Sequence, residues 1–422
     1  MPHVPRPLFL AIAGLLIASS PARAIDCTGT STGNVPLTDL GAGTYQGFPG
    51  GLYPGGSNLR PAAHEAAGLT LAGAIGPLDT LGNPDPAGRV VVISIGMSNC
   101  TQEFSAFVPK ANADPFKNSN VRVIDCALGG QAANVIRDPN AAYWDTVAAR
   151  LRGRASSPLQ AQVVWIKEAD ATPTGGFPAA TTSLMQNLGA IVRIIHDRLP
   201  NVRLAYLTSR IYAGYADTQL NPEPYAYESG FAVKWLIEAQ IAGEDSLNWD
   251  PAAGPVESPW LSWGPYLWAD GLTPRSDGLT WSCSMFANDG THPGPPARNL
   301  VADSLLAFFK RDATTRPWFA RTPTSAPQTA RGPIALVVGP SPARGGVGVM
   351  LGAPPGAAWR VVVVDLAGRM VRELGRGTGD GEPARLRWDG RDAAGVPVHG
   401  VYWVRGEIGG RAIARRCVLL GP

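Results

Sequence analysis

Charge is scarce in this chain: Asp, Glu, Lys and Arg make up only 16% of its 422 residues, and the formal net charge is +3. The basic residues are mostly scattered arginines rather than a run, so no electrostatic case exists for nucleic acid or an acidic membrane as partner. Long apolar runs are missing too. The main candidate, Leu8 to Ala18, falls short of the roughly 18 residues that a membrane span needs, so no transmembrane anchor is expected. Cysteine and histidine number five each. The spacings of Cys27, Cys100, Cys126, Cys283 and Cys417 match no zinc pattern, and no histidine cluster accompanies them, so no metal and no other cofactor is expected.

What the chain has in quantity is Gly (50) and Pro (39), alongside a hydrophobic content of 45%. That content excludes wholesale disorder, and the glycines and prolines favour a turn-rich protein over a helical bundle. The length fits two domains with short appendages. Arg6 in a short basic lead, the apolar stretch after it and Ala22-Arg23-Ala24 together read as a cleaved secretion signal over residues 1–24. Export would place the cysteines where disulfides persist, with at least one left unpaired by the odd count. Cys100, Cys126 and Cys283 flank the motifs described below. Two readings stay open for them: a bridge that braces the site, or three inert buried thiols.

Residues 25–88 show little periodicity and read as an extended segment draped over the first domain. From Arg89 the pattern changes. The apolar runs "RVVVISIG" (89–96), "VRVIDCAL" (121–128), "AQVVWIK" (161–167) and "VRLAYLTS" (202–209) read as strands buried on both faces. Each gap is long enough for a helix. One is "AATTSLMQNLGAIVRIIHDRL" (179–199), with Leu184, Leu188, Ile191, Ile195 and Leu199 on one stripe. This predicts an α/β fold over 89–319, with a parallel sheet between two helical layers and a ligand site past the C-terminal strand ends. Segment 249–281 carries six large rings (Trp249, Trp260, Trp263, Tyr266, Trp268, Trp281) without periodicity, which either cover a core or line a binding surface, core being the commoner use. "PARNLVADSLLAFFKRD" (296–312) reads as a closing helix, 320–331 as a linker, and 332–422 as a small all-β sandwich of short antiparallel strands.

Three clusters fall where the strands should end. In "IGMSNC" (95–100) Ser98 follows a strand across the Gly96 turn, and its backbone N–H opens the next helix. In "LGGQAAN" (128–134) Gly129 and Gly130 let backbone amides approach a substrate. In "DGTHPG" (289–294) Asp289 and His292 lie three apart, so the carboxylate can hold the imidazole while its other nitrogen faces the serine. A serine hydroxyl is a poor nucleophile at neutral pH and needs such a base, which in turn needs an orienting group. Taken singly, each cluster has a structural reading: a strand-to-helix turn, a sharp bend, a capping turn. Their joint occurrence in order points to a serine hydrolase. Glu168 and Asp170 form a further acid pair, read as capping or salt-bridging rather than catalytic.

"IGMSNC" resembles the first block of the SGNH/GDSL hydrolases, especially carbohydrate esterases whose block reads G-Q-S-N. "LGGQA" is similar to their second block and "DGTHPG" to the Asp-x-x-His fifth, over roughly residues 89–312. The resemblance implies a three-layer, flavodoxin-like α/β/α fold. It implies Ser98 as nucleophile, His292 as general base, Asp289 as its orienter, and the amides of Ser98 and Gly130 as oxyanion donors. The third block departs: where Gly-x-Asn-Asp is usual, "WIKEADA" (165–171) looks closer to the Trp-x-Gln-Gly-Glu-Ser-Asp of sialic-acid and xylan acetylesterases, one residue short. Ala169 cannot donate as the family's Asn does, and loss of one such donor costs on the order of a hundredfold in rate. The implied activity is hydrolysis of acyl esters, acetyl foremost, on a small molecule or glycan. The alternatives carried with it are a non-catalytic glycan-binding or cell-surface protein that keeps the fold, and a lipase or thioesterase.

"VVVVDLAGRMVREL" and "RLRWDGRDAAGVPVHGVYWVR" resemble the immunoglobulin-like domain of flagellar hook-capping proteins. That likeness implies a partner in the cell-surface or secretion machinery rather than flagellar assembly.

Overall fold

The computed structural model describes residues 25–321, 335–339, 341–366, 368–380 and 382–420. The expected leader at 1–24 and nearly all of the expected linker lie outside them. The chain divides between Thr322 and Pro323 into two compact units, and each is described by itself.

In the first unit the β-branched runs form strands Val90–Gly96 (β1), Val121–Ile124 (β2), Ala161–Lys167 (β3), Leu204–Leu207 (β4) and Trp260–Trp263 (β5). They make one parallel sheet in the order β2-β1-β3-β4-β5. Every residue of β1, β3, β4 and β5 is buried, as a sheet covered on both faces requires. The principal helices are Ala62–Gly73 (α1), Ser98–Ala113 (α2), Ala133–Ile136 (α3), Ala142–Arg152 (α4), Ala179–Arg198 (α5), Tyr225–Ile241 (α6) and Pro295–Arg311 (α7). α2 packs on α7 and α5 packs on α6. Because the strand order reverses at β1, right-handed crossovers put these two pairs on opposite faces. The unit is therefore a three-layer α/β/α domain of flavodoxin-like strand order, with its crevice at the C-terminal ends of β1 and β3.

The expected stripe of α5 is buried at Leu184, Leu188, Ile191 and Ile195. Two elements escaped the sequence reading. Segment 25–88 is not extended throughout: it contains α1, whose buried face is His64, Gly68 and Ala72. The missing side chain at Gly68 admits the Trp260 indole, since a Cβ there would meet the ring at 2.5 Å. The His64 imidazole stacks on the same ring with centroids 4.6 Å apart. β5 was hidden in the tryptophan-rich segment. Trp260, Trp263, Trp268 and Trp281 are all buried, so these rings are core and form no sugar platform.

The second unit is all-β. Its strands are Ala335–Gly339 (β6), Val347–Gly352 (β7), Ala358–Val364 (β8), Met370–Thr378 (β9), Ala384–Trp388 (β10), Gly400–Ile408 (β11) and Arg411–Leu419 (β12). They form two antiparallel sheets, β9-β8-β11-β12 and β10-β7-β6. Val349 and Leu351 of one sheet and Val361, Val363 and Val404 of the other share a core with Trp388.

Candidate active site

Ser98 opens α2 directly past the end of β1, with Met97 extended before it (φ −86°, ψ −165°). Gly96 makes this approach sterically feasible: a Cβ there would lie 2.4 Å from the Lys167 carbonyl oxygen and 2.6 Å from Cys100 Cβ. A helix entered this way leaves its first N–H groups free and its positive dipole end at the hydroxyl.

The acid–base loop is built around the Asp289 carboxylate. Its Oδ1 accepts the backbone N–H of Thr291 (3.0 Å) and of His292 (2.9 Å). Its Oδ2 lies 2.5 Å from His292 Nδ1. Across the ring, His292 Nε2 lies 2.8 Å from Ser98 Oγ. A carboxylate only accepts, so the contacts together place the proton on Nδ1 and leave Nε2 to receive the serine hydroxyl. Burial works to raise the Asp289 pKa, but the His292 backbone N–H and imidazole outweigh it and hold the carboxyl below its usual range. Gly290 supplies a left-handed turn (φ +62°) at a point where a Cβ would strike the Tyr215 carbonyl oxygen at 1.8 Å.

Neighbours fix this loop from two sides. Asn99, buried one residue after the serine, donates its side-chain N–H to the Thr291 carbonyl at 3.1 Å. From the segment after β4, the Asp217 N–H donates to the Asp289 carbonyl at 3.1 Å, and the Thr218 and Thr291 hydroxyls meet at 2.5 Å.

On the opposite side of Ser98 the Leu128 N–H donates to the Gly96 carbonyl at 2.9 Å, which lays the glycine pair along the serine. A Cβ built on Gly129 would sit 3.8 Å from Ser98 Cβ. Gly130 is left-handed (φ +76°) with open space where a side chain would be. Among the described residues the N–H groups of Ser98 and Gly130 meet no protein acceptor, so both remain available to a ligand oxygen.

The "WIKEADA" segment follows β3 into the same crevice. Lys167 is fully buried and paired with Glu103 of α2 at 2.6 and 2.7 Å. The Ala169 carbonyl accepts the Ala133 N–H at 3.0 Å, tying this segment to the glycine loop. Asp170 accepts from Asn187 at 2.8 Å, and Asn187 accepts from Arg137 at 2.7 Å. Glu168 corrects the expectation of a capping or salt-bridging role. Among the described residues it makes no salt bridge and caps no helix; Oε2 accepts only the Ala169 N–H (3.1 Å) and Oε1 has no partner. Burial pushes its pKa well above the usual carboxylate range. Arg210, past the end of β4, is buried nearby, and among the described residues its Nε has no partner.

The cysteines fall out differently from either sequence reading. Cys283 pairs with Cys27, which joins the N-terminal segment to the stretch leading into the acid–base loop. Cys100 and Cys126 are free, buried thiols, and the Cys126 N–H donates to the Ser94 hydroxyl oxygen at 3.0 Å. Burial pushes Cys126 up to about 12 and holds Cys100 well above the ordinary thiol range, so neither offers a thiolate at neutral pH.

Sequence reasoning thus brought Ser98, Asp289, His292 and Gly130 to one place but missed Asn99, Thr218, Glu103 and Arg210. A lysine and a glutamate closing an apolar strand were a visible sign of buried charge at 167 and 168. The partners of that charge, on other elements, carried no such sign.

No family model matches this chain, and no curated protein does. Among solved structures it is similar to the protein YXIM of Bacillus subtilis, at 11% identity and a TM-score of 0.31 over 54% of this chain and 58% of that one. It is also similar to an engineered protein, at 14% identity and a TM-score of 0.17 over 77% of this chain and 59% of that one. The matches span a little under three fifths of the length of those chains.

Proposed function

We propose that this chain is an exported serine esterase of the SGNH/GDSL type that forms an acyl-enzyme on Ser98. One observation carries the reading: the continuous hydrogen-bond chain from Ser98 Oγ through His292 to Asp289, at 2.8 and 2.5 Å. His292 Nε2 takes the hydroxyl proton as Oγ attacks the acyl carbonyl, and Asp289 steadies the imidazolium that forms. The oxygen that gains charge is received by the N–H groups of Ser98 and Gly130. His292 then returns the proton to the departing alcohol, and water repeats the sequence to release the acid.

Ala169 offers no side-chain donor, so the oxyanion site rests on two amides, and turnover is expected to be slow. An acetyl ester on a glycan is favoured by the G-x-S-N and third-block resemblances alone, since the tryptophans are core. Export is favoured by the expected leader and by the Cys27–Cys283 disulfide, a bond that oxidising compartments preserve. The C-terminal unit then serves in surface attachment or secretion sorting. Hydrolysis of para-nitrophenyl acetate by the mature protein, compared with Ser98→Ala, tests the enzyme reading: equal rates defeat it. A series of longer acyl chains tests acetyl preference, and a rate that climbs with chain length turns the reading to a lipase.

A further inference from the structure

A small space of about 10 Å³, the size of a single water or small ion, lies between the segment after β3, the start of α5 and α6; its walls include Asp170, Thr181, Asn221 and Glu228. Thr181, Asn221 and Glu228 are each only 3% exposed. Among the described residues three of their oxygens, Thr181 Oγ1, Asn221 Oδ1 and Glu228 Oε2, have no hydrogen-bond partner. Polar atoms this deeply buried are seldom left without one, because desolvating them is costly. The second Glu228 oxygen accepts from Tyr45 at 2.9 Å, and Asp170 accepts from Asn187 at 2.8 Å. No Lys, Arg or His stands among the residues lining the space.

The donor set is a carboxylate, an amide carbonyl and a hydroxyl, with a second carboxylate in the wall. All are hard oxygens, the ligands that sodium and calcium take and that softer metals do not prefer. A water could donate to two of the three orphan oxygens, and it would leave the third without a partner. We propose that this cavity is a binding site for one hard cation of the sodium or calcium class, held by Glu228 Oε2, Asn221 Oδ1 and Thr181 Oγ1. The site stands independently of the esterase reading, but it reaches the same loop. Asn221 lies on the segment after β4 whose Asp217 and Thr218 hold Asp289 and Thr291, so an ion there braces the acid–base loop from behind.

The test is thermal unfolding of the mature full-length protein, stripped with chelator and held in choline chloride, with CaCl₂ or NaCl added. One of the two salts is expected to raise the midpoint saturably by roughly 5 °C, and which one does so identifies the ion. Glu228→Gln and Thr181→Val are expected to abolish the response. No shift with either salt in the wild-type protein overturns the site, as does an undiminished shift in both variants. Should Glu228→Gln not fold, a crystal structure grown with the active salt decides. Density about 2.3–2.6 Å from Glu228 Oε2 supports an ion, and density at a water's hydrogen-bond distance overturns it.

Discussion

Asn99 holds Thr291: the side chain that follows Ser98 donates to the carbonyl that precedes His292, at 3.1 Å. The distance between Ser98 and His292 is thereby fixed by a contact outside the triad. Replacing Asn99 with Leu leaves a buried carbonyl unsatisfied, a loss of about 1–3 kcal/mol. The expected outcome is a drop in kcat of ten-fold or more, with KM little changed and Asp289–His292 intact. Steady-state kinetics check it; a fall in KM-related affinity alone contradicts a positioning role.

Asp289→Asn should keep the fold and lose rate by on the order of 10³- to 10⁴-fold, because an amide no longer enforces the Nδ1–H tautomer. The sign of the acid dependence follows from the depressed Asp289 pKa. Its contribution to stability is present above the ordinary value near 3.8 and is lost as pH falls through the lower folded value. The stability gap between wild type and Asp289→Asn should therefore close only in strong acid, as urea unfolding at several pH values will show. A gap that closes already above pH ~5 is inconsistent with a depressed carboxyl.

Glu168 runs the other way. Its folded pKa is raised by burial, so its contribution is complete below the unfolded value and is lost as pH rises toward the folded one. Glu168→Gln, which replaces a neutral acid with a neutral amide, should change stability little near pH 5 and raise the unfolding midpoint relative to wild type near pH 9. A wild-type protein whose stability is flat over that range argues that Glu168 is already ionised.

The disulfide joins residues 256 apart in sequence, and Cys283 stands six residues before Asp289. Cys27→Ser should lower stability by about 2–4 kcal/mol, and dithiothreitol should lower the denaturant midpoint of wild type but not of the variant. An insensitive midpoint would show that the Asp270 contacts to Ser31 and Thr32 hold the N-terminal segment unaided.

Much of this was legible because both-face burial writes itself as unbroken apolar runs, as in Val90–Gly96 and Ala161–Lys167. α1 was not, because Gly68 and Ala72 on its buried face leave room for an indole instead of filling space themselves, and His64 there reads as polar. β5 was not, because four residues between prolines and tryptophans show no period. The hydrogen-bonded chain of Ser98, His292 and Asp289 was readable because each member sits in a short motif at a strand or helix end. Its supports were not: an asparagine or threonine has the same sequence signature whether it holds a catalytic loop or faces water. Cysteine pairing depends on which loops meet in space, and Cys27 carries no motif that brings it near Cys283.

Ser98 is proposed to be an activated nucleophile. A fluorophosphonate probe applied to the mature protein, followed by peptide mapping, measures this directly. Covalent labelling at Ser98, abolished by His292→Ala, is the predicted result. No labelling of folded protein, or labelling confined to another residue, would contradict it.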